Sequence, residues 1–129
     1  MTDKLRRPTD AELEILTVLW SRGASTVRDV YETLHQRRES AQYSTVLKFM
    51  QIMSQKGLVR RDDSERAHVY EAAQPREWTQ QQLAGDLLQR GFDWSMKNLM
   101  IGALSARKAS KKELAELRKL LDEYEKRKR

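Results

Sequence analysis

The sequence predicts a mainly α-helical chain with one small β-hairpin, followed by a separate helical domain, and three features predict it. Between Thr9 and Lys56 apolar residues recur in three successive stripes with helical spacing. Between Leu58 and Glu71 that rhythm gives way to two short strand-like runs around a polar turn. Beyond Pro75 the pattern is wholly helical again.

Thr9 followed by Glu12 fits a capping box, in which hydroxyl and carboxylate satisfy orphan backbone N–H groups. A first helix is expected from about Asp10 to Ser21, burying Leu13, Leu16, Leu19 and Trp20 and stopping at Gly23. Ser25 or Thr26 caps a second helix, where Val27, Val30, Tyr31 and Leu34 fall at i, i+3, i+4 and i+7; it fades through Gln36 to Glu39.

The stretch from Ser40 to Arg61 contains the third, over about 43–56. Val46, Phe49, Met50 and Met53 make its buried stripe and Gly57 stops it. The opposite face carries Ser44, Thr45, Lys48 and Gln51, with Gln42 and Tyr43 at the start. The stretch holds Lys48, Lys56, Arg60 and Arg61 and no acid, a local charge of +4. Hydroxyls, amides and an ammonium on one helix face suit the major groove, where base edges need donors and acceptors and phosphates need cations. A surface helix with a solvated polar face has the same pattern, so the neighbouring elements must discriminate.

Leu58 to Arg61 is expected as a strand, Asp62 to Arg66 as a turn, and Ala67 to Glu71 as the returning strand. Three helices and then a hairpin is the order of a winged helix-turn-helix, whose third helix enters the major groove while the hairpin lies against the backbone. In that frame Tyr43 and Thr45 face base edges or methyl groups, and Lys48 a guanine or a phosphate. Gln42, Ser44 and Gln51 complete the face, and Arg7, Arg60, Arg61 and Arg66 meet flanking phosphates. Arg7 belongs to a basic arm with Lys4 and Arg6.

Pro75 divides a winged-helix DNA-binding domain, residues 1–74, from a helical dimerisation domain, residues 75–129. Helices are expected over Arg76 to Arg90 and Asp93 to Leu104. A last helix, opened by a capping box of Ser110 and Glu113, spans roughly 25 Å. On it Leu114, Leu117, Leu121 and Tyr124 repeat 3, 4, 3, an a/d seam. Three such helices make a poor monomeric core. Burial of the seam in a two-chain core, with Leu83, Leu87, Met96, Leu99, Met100 and Leu104, points to a homodimer. Folding of the seam back onto the winged domain is the alternative.

Bulk composition bounds the rest. The chain has 129 residues, 34% of them charged, and no cysteine. Disulfides, thiolate metal sites and Cys nucleophiles are therefore excluded. No apolar run approaches the ~20 residues of a membrane span and the first residues lack a signal-peptide core, so a cytoplasmic protein without membrane insertion is expected. Net charge is +6. It is unevenly spread: residues 1–74 hold 12 Lys/Arg against 11 Asp/Glu, and residues 75–129 hold 13 against 8. The local field of the third helix thus says more about a polyanionic partner than the whole-chain charge does. An enzyme is not indicated: His35 and His68 have no nucleophile or second ligand at suitable spacing, and the five glycines form no phosphate loop. No metal or cofactor is expected.

The segment YSTVLKFMQIMSQKGLVRRDDSERAHVYEA, Tyr43 to Ala72, resembles the corresponding part of the penicillinase and methicillin-resistance repressors, the BlaI/MecI family. PTDAELEILTVLW, Pro8 to Trp20, is similar to their first helix, and a weaker resemblance runs through the C-terminal helices. The resemblance implies a homodimeric transcriptional repressor on a dyad-symmetric DNA operator. By matching position it implies Tyr43, Ser44, Thr45 and Lys48 as reading residues, with Gln42 at the helix start. Leu47 and Ile52 depart from the basic side chains of the best-known members. It also implies a sensor protease system that relieves repression by cleavage in the dimerisation region; the comparable zone is near Gly102-Ala103, smaller than the pair expected. A copper-responsive branch senses metal through cysteines and is excluded here. A winged helix serving as a protein-interaction module is the rival reading; the acid-free third helix argues against it.

Overall fold

The computed structural model describes residues 7–64 and 66–128; Lys4 and Arg6 of the expected basic arm lie outside them. Helix α1, Asp10–Arg22, begins as its sequence requires. The Glu12 N–H donates to Thr9 Oγ1 at 3.3 Å and the Thr9 N–H to Glu12 Oε1 at 2.8 Å. At the other end Gly23 takes φ 88° and its N–H bonds to Leu19 O at 2.8 Å, a backbone state that side chains disfavour. Helix α2, Val27–Arg37, repeats the device: Thr26 is the cap and Asp29 closes the box, both bonds 3.1 Å.

Helix α3, Tyr43–Lys56, follows Gln42, whose side chain makes no capping hydrogen bond. It ends at Gly57, left-handed at φ 81°, where the Leu58 N–H reaches back to Met53 O at 2.9 Å. That bond draws Leu58 into the helix stop. The hairpin therefore starts one residue later than expected, with β1 at Val59–Asp62 and β2 at Val69–Ala72. They pair antiparallel, Arg60 opposite Glu71 and Arg61 opposite Tyr70. Ser25, between α1 and α2, bonds to Tyr70 in both directions, N to O at 2.9 Å and O to N at 2.8 Å. Of the two expected caps of α2, Thr26 takes that role and Ser25 instead anchors the hairpin to the helices.

These elements enclose one core. Ile15, Leu16, Val18 and Leu19 come from α1, Val27, Val30 and Leu34 from α2, Val46, Met50 and Met53 from α3, and Val59 and Tyr70 from the hairpin. The buried face of α1 differs from the expected one. Leu13 and Trp20 are half-buried at its margin, and Ile15 and Val18 take the interior. The cause is that α1 packs against α2, α3 and β2 together, which demands a wider apolar face than one stripe. Phe49 is likewise half-buried beside α3's buried residues. The Trp20 indole N–H donates to Gln74 O at 3.1 Å.

Glu12 has a second task. Its side chain is 2% exposed and both carboxylate oxygens lie 3.0 Å from Lys56 Nζ, at the last residue of α3. Start of α1 and end of α3 are thereby tied by one carboxylate.

Helices α4, Arg76–Phe92, α5, Met96–Ala106, and α6, Lys111–Lys128, follow. The chain divides into two compact units, one ending at Gln82 and one beginning at Leu83. In the second unit, α5 starts later than the expected Asp93, because Asp93 and Trp94 adopt left-handed φ values of 48° and 64° and Ser95 caps the helix. Ser110 Oγ accepts the Glu113 N–H at 3.1 Å, but the Glu113 carboxylate holds Arg107 at 2.8 and 2.9 Å instead of closing the expected box. Among the described residues from 83 onward, Leu88 is the single buried hydrophobic side chain. Leu83, Leu87, Met96, Met100, Leu104, Leu121 and Tyr124 are exposed, and Leu99, Leu114 and Leu117 are half-buried.

Two stability effects are expected. Lys56→Ala should destabilise the first unit by about 2 kcal/mol, below the usual cost of orphaning a buried charge because Lys56 itself is partly solvated; a lowered urea midpoint measures it. The Thr26 backbone N–H, foremost, with the Thr26 hydroxyl and Arg22, holds the Asp29 carboxyl below the usual aspartate range against desolvation. A depressed folded pKa stabilises above the unfolded value and the effect is lost as pH falls through the folded one. The Asp29 side chain is 39% exposed, so screening keeps the effect small: Asp29→Asn should lower the urea midpoint slightly at pH 7, and the gap should close as pH falls below the usual aspartate range; urea midpoints at pH 7 and about pH 2 check it.

Candidate nucleic-acid interface

Burying Val46, Met50 and Met53 turns the opposite face of α3 to solvent. Ser44, Thr45, Lys48 and Gln51 are exposed on that face, and Gln42 and Tyr43 are exposed at the start of the helix. The helix has 14 residues, about 21 Å of length, and its polar face presents hydroxyls, amides and one ammonium. Leu47 and Ile52 are half-buried, and Leu47 packs against the core. The apolar character of Leu47 thus serves the interior.

The four cations of this stretch are not equivalent. Lys56 is spent on Glu12, with only 26% of its side chain exposed. The expected local charge of +4 is reduced accordingly: this ammonium is locked into the fold. Arg60 lies 3.5 Å from Glu71 and Arg61 2.8 Å from Asp63, but these pairs are 41–67% exposed. Such exposed pairs are screened by solvent and hold their charges only loosely. Hydrogen bonding to Tyr70, then Asp63, raises the Arg61 pKa further, so that side chain is cationic at any working pH. Lys48 is exposed and forms no ion pair among the described residues.

The hairpin tip is acidic. Asp62 accepts the Ser64 N–H at 2.9 Å, and hydrogen bonds from Ser64 depress the Asp62 pKa, so it remains ionised. Asp63 sits beside it, 3.7 Å from His68 Nδ1. Arg60 and Arg61 lie on β1, and Arg66 lies in the connecting turn beside these acids, all three exposed. Arg7 is exposed at the edge of the described residues and has an interaction of its own.

Helix α2 contributes a cluster that apolar periodicity does not reveal. The Arg28 guanidinium lies over the Tyr43 ring, 5.4 Å from its centroid. Tyr31 meets Tyr43 edge-on at 5.7 Å and stacks with His35 at 5.4 Å. Spacing alone groups Tyr31 with the buried stripe of α2. Its ring in fact joins the core to the first residue of α3. The one available hint is a cation at the second position of the helix preceding α3. Among the described residues no group of three or more His, Asp or Glu side chains is placed to hold a metal ion.

A family model, penicillinase repressor, matches residues 8–123. Two proteins named transcriptional regulator BlaI, from Mycobacterium tuberculosis strains CDC 1551 and H37Rv, are each 43% identical over 68 residues, 52% of this chain and 49% of the relative. The match spans about half the length of those relatives. With the family model covering nearly the whole chain, three helices and a hairpin in the expected order, and a solvent-facing polar third helix, the chain belongs to the penicillinase repressor family.

Proposed function

We propose that the chain is a DNA-binding transcriptional repressor that acts as a homodimer on a dyad-symmetric operator. The observation that carries this is the acid-free face of α3, where Ser44, Thr45, Lys48 and Gln51 stand exposed opposite the buried stripe, with Tyr43 exposed at the start of the helix. A major groove about 12 Å wide admits a helix, and this face offers what base edges and phosphates take. The two relatives are named transcriptional regulators. Residues 1–74 bind DNA and residues 75–129 dimerise.

In each protomer α3 enters a major groove. Tyr43 and Thr45 approach base edges or thymine methyls, Lys48 a guanine or a phosphate, and Arg60, Arg61 and Arg66 the neighbouring backbone. Two half-sites lie about one helical turn or more apart, as dimer symmetry dictates. Repression follows from occupation of a promoter. No described helix is long and apolar enough to cross a membrane, in keeping with a cytoplasmic repressor.

The partner for the second unit is another copy. Leu83, Leu87, Met96, Leu99, Met100 and Leu104 on α4 and α5, and Leu114, Leu117, Leu121 and Tyr124 on α6, leave a broad apolar surface around a single buried leucine. Leu121 and Tyr124 are 63% and 56% exposed and Leu114 and Leu117 half-buried. A second copy related by a twofold axis completes a core from identical faces. If a sensor protease system relieves repression, its target near Gly102-Ala103 is inside α5, and cleavage requires that helix to open locally.

Footprinting over the gene's own upstream region tests the proposal, and the logarithm of affinity should fall steeply with the logarithm of salt concentration. A flat salt response, or no protected region, would sink it. Lys48→Ala should weaken binding by about 1–3 kcal/mol and selectively by sequence if Lys48 touches a base; equal loss on all duplexes reassigns it to phosphate. Leu117→Ala with Leu121→Ala should shift the dimer toward monomer in light scattering and lower operator affinity with it. An unchanged dimer mass refutes the α6 seam.

A further inference from the structure

Tyr43 is the first residue of α3, and Gln42 before it supplies no side-chain cap. The Tyr43 ring meets two side chains of α2. Tyr31, half-buried against the core, meets it edge-on at 5.7 Å, and the Arg28 guanidinium covers it at 5.4 Å. Arg28 is the second residue of α2 and its side chain is 68% exposed. Its acidic neighbour Glu32 lies 3.9 Å away and is 59% exposed. A pair that long and that solvated does little to neutralise either charge.

A guanidinium lying over an aromatic ring is attracted through its face, which leaves its N–H edge available to an anion. The contact also restricts a long side chain that would otherwise lose conformational freedom on binding. Arg28 is thus a preorganised cation beside the first turn of the reading helix, and it comes from a different helix. In helix-turn-helix docking the helix preceding the reading helix crosses the DNA backbone.

We propose that Arg28 is a DNA phosphate contact and that the Tyr43 ring is its positioning residue, so that Tyr43 serves both groove and backbone. This rests on the DNA-binding reading above and assigns α2 a share of the interface. One such contact per protomer means two per dimer. The contact carries no base information, so its contribution is the same on operator and on unrelated duplex.

The test uses the full chain with two probes, a duplex from its own upstream region and a random-sequence duplex of equal length, titrated from low to moderate salt. Arg28→Gln should lower affinity for both probes by similar factors, on the order of tenfold, and flatten the salt slope by about 2 per dimer. Arg28→Lys, which keeps the charge, should restore most of that slope. Tyr43→Leu should weaken binding, and combined with Arg28→Gln it should cost less than the product of the two separate losses. An unchanged slope in Arg28→Gln, with parent binding intact, overturns the phosphate contact alone. Strictly multiplicative losses overturn the positioning role of Tyr43. Failure of the parent to bind either duplex at low salt overturns the DNA-binding reading and this inference together. Circular dichroism confirms that the variants, altered at exposed side chains, are folded.

Discussion

Glu12 accepts a hydrogen bond from the backbone that opens α1 and two from the ammonium that closes α3. Its carboxylate is almost entirely out of water, so it can be accommodated only because each oxygen is satisfied. The consequence reaches beyond local stability. The end of α3 is pinned to the start of α1, while Val46, Met50 and Met53 pin its length. A reading helix has to present several side chains to base edges at once, and a helix fastened at its base and along one face does this without paying for order at the moment of contact.

The same ion pair changes how charge in this chain should be counted. Summed along the sequence, Ser40 to Arg61 is acid-free and strongly basic. In space, one of its four cations is structural and two lean on exposed carboxylates. Exposed pairs yield to a phosphate and a buried pair does not, because the buried carboxylate has no water to fall back on. The other exposed cations come from several elements: Lys48 on α3, Arg60 and Arg61 on β1, and Arg28 beside Tyr43.

The two units differ in how they satisfy hydrophobic burial. The first encloses twelve buried side chains from three helices and a hairpin in one cluster. The second spreads its leucines and methionines over three helices and leaves most of them in water. Polar devices hold its corners, with Ser95 capping α5 and Arg107 gripping Glu113 ahead of α6. Turns and caps can thus define helices whose apolar faces remain unmatched, and such faces demand a second surface.

Local rules made much of this legible in advance. Capping boxes at Thr9 and Thr26, stops at Gly23 and Gly57, and the stripe of α3 depend on residues within a turn or two of each other, so the order of three helices and a hairpin could be read from the sequence, as could the exposed face of Tyr43, Ser44, Thr45 and Lys48. What depended on distant partners could not. The wider buried face of α1, the bridge of Ser25 to Tyr70, the withdrawal of Lys56 by Glu12 and the seating of Arg28 over Tyr43 join residues 15 to 45 positions apart. Periodicity reports which side a residue faces, whereas only the packed tertiary structure decides what it meets there.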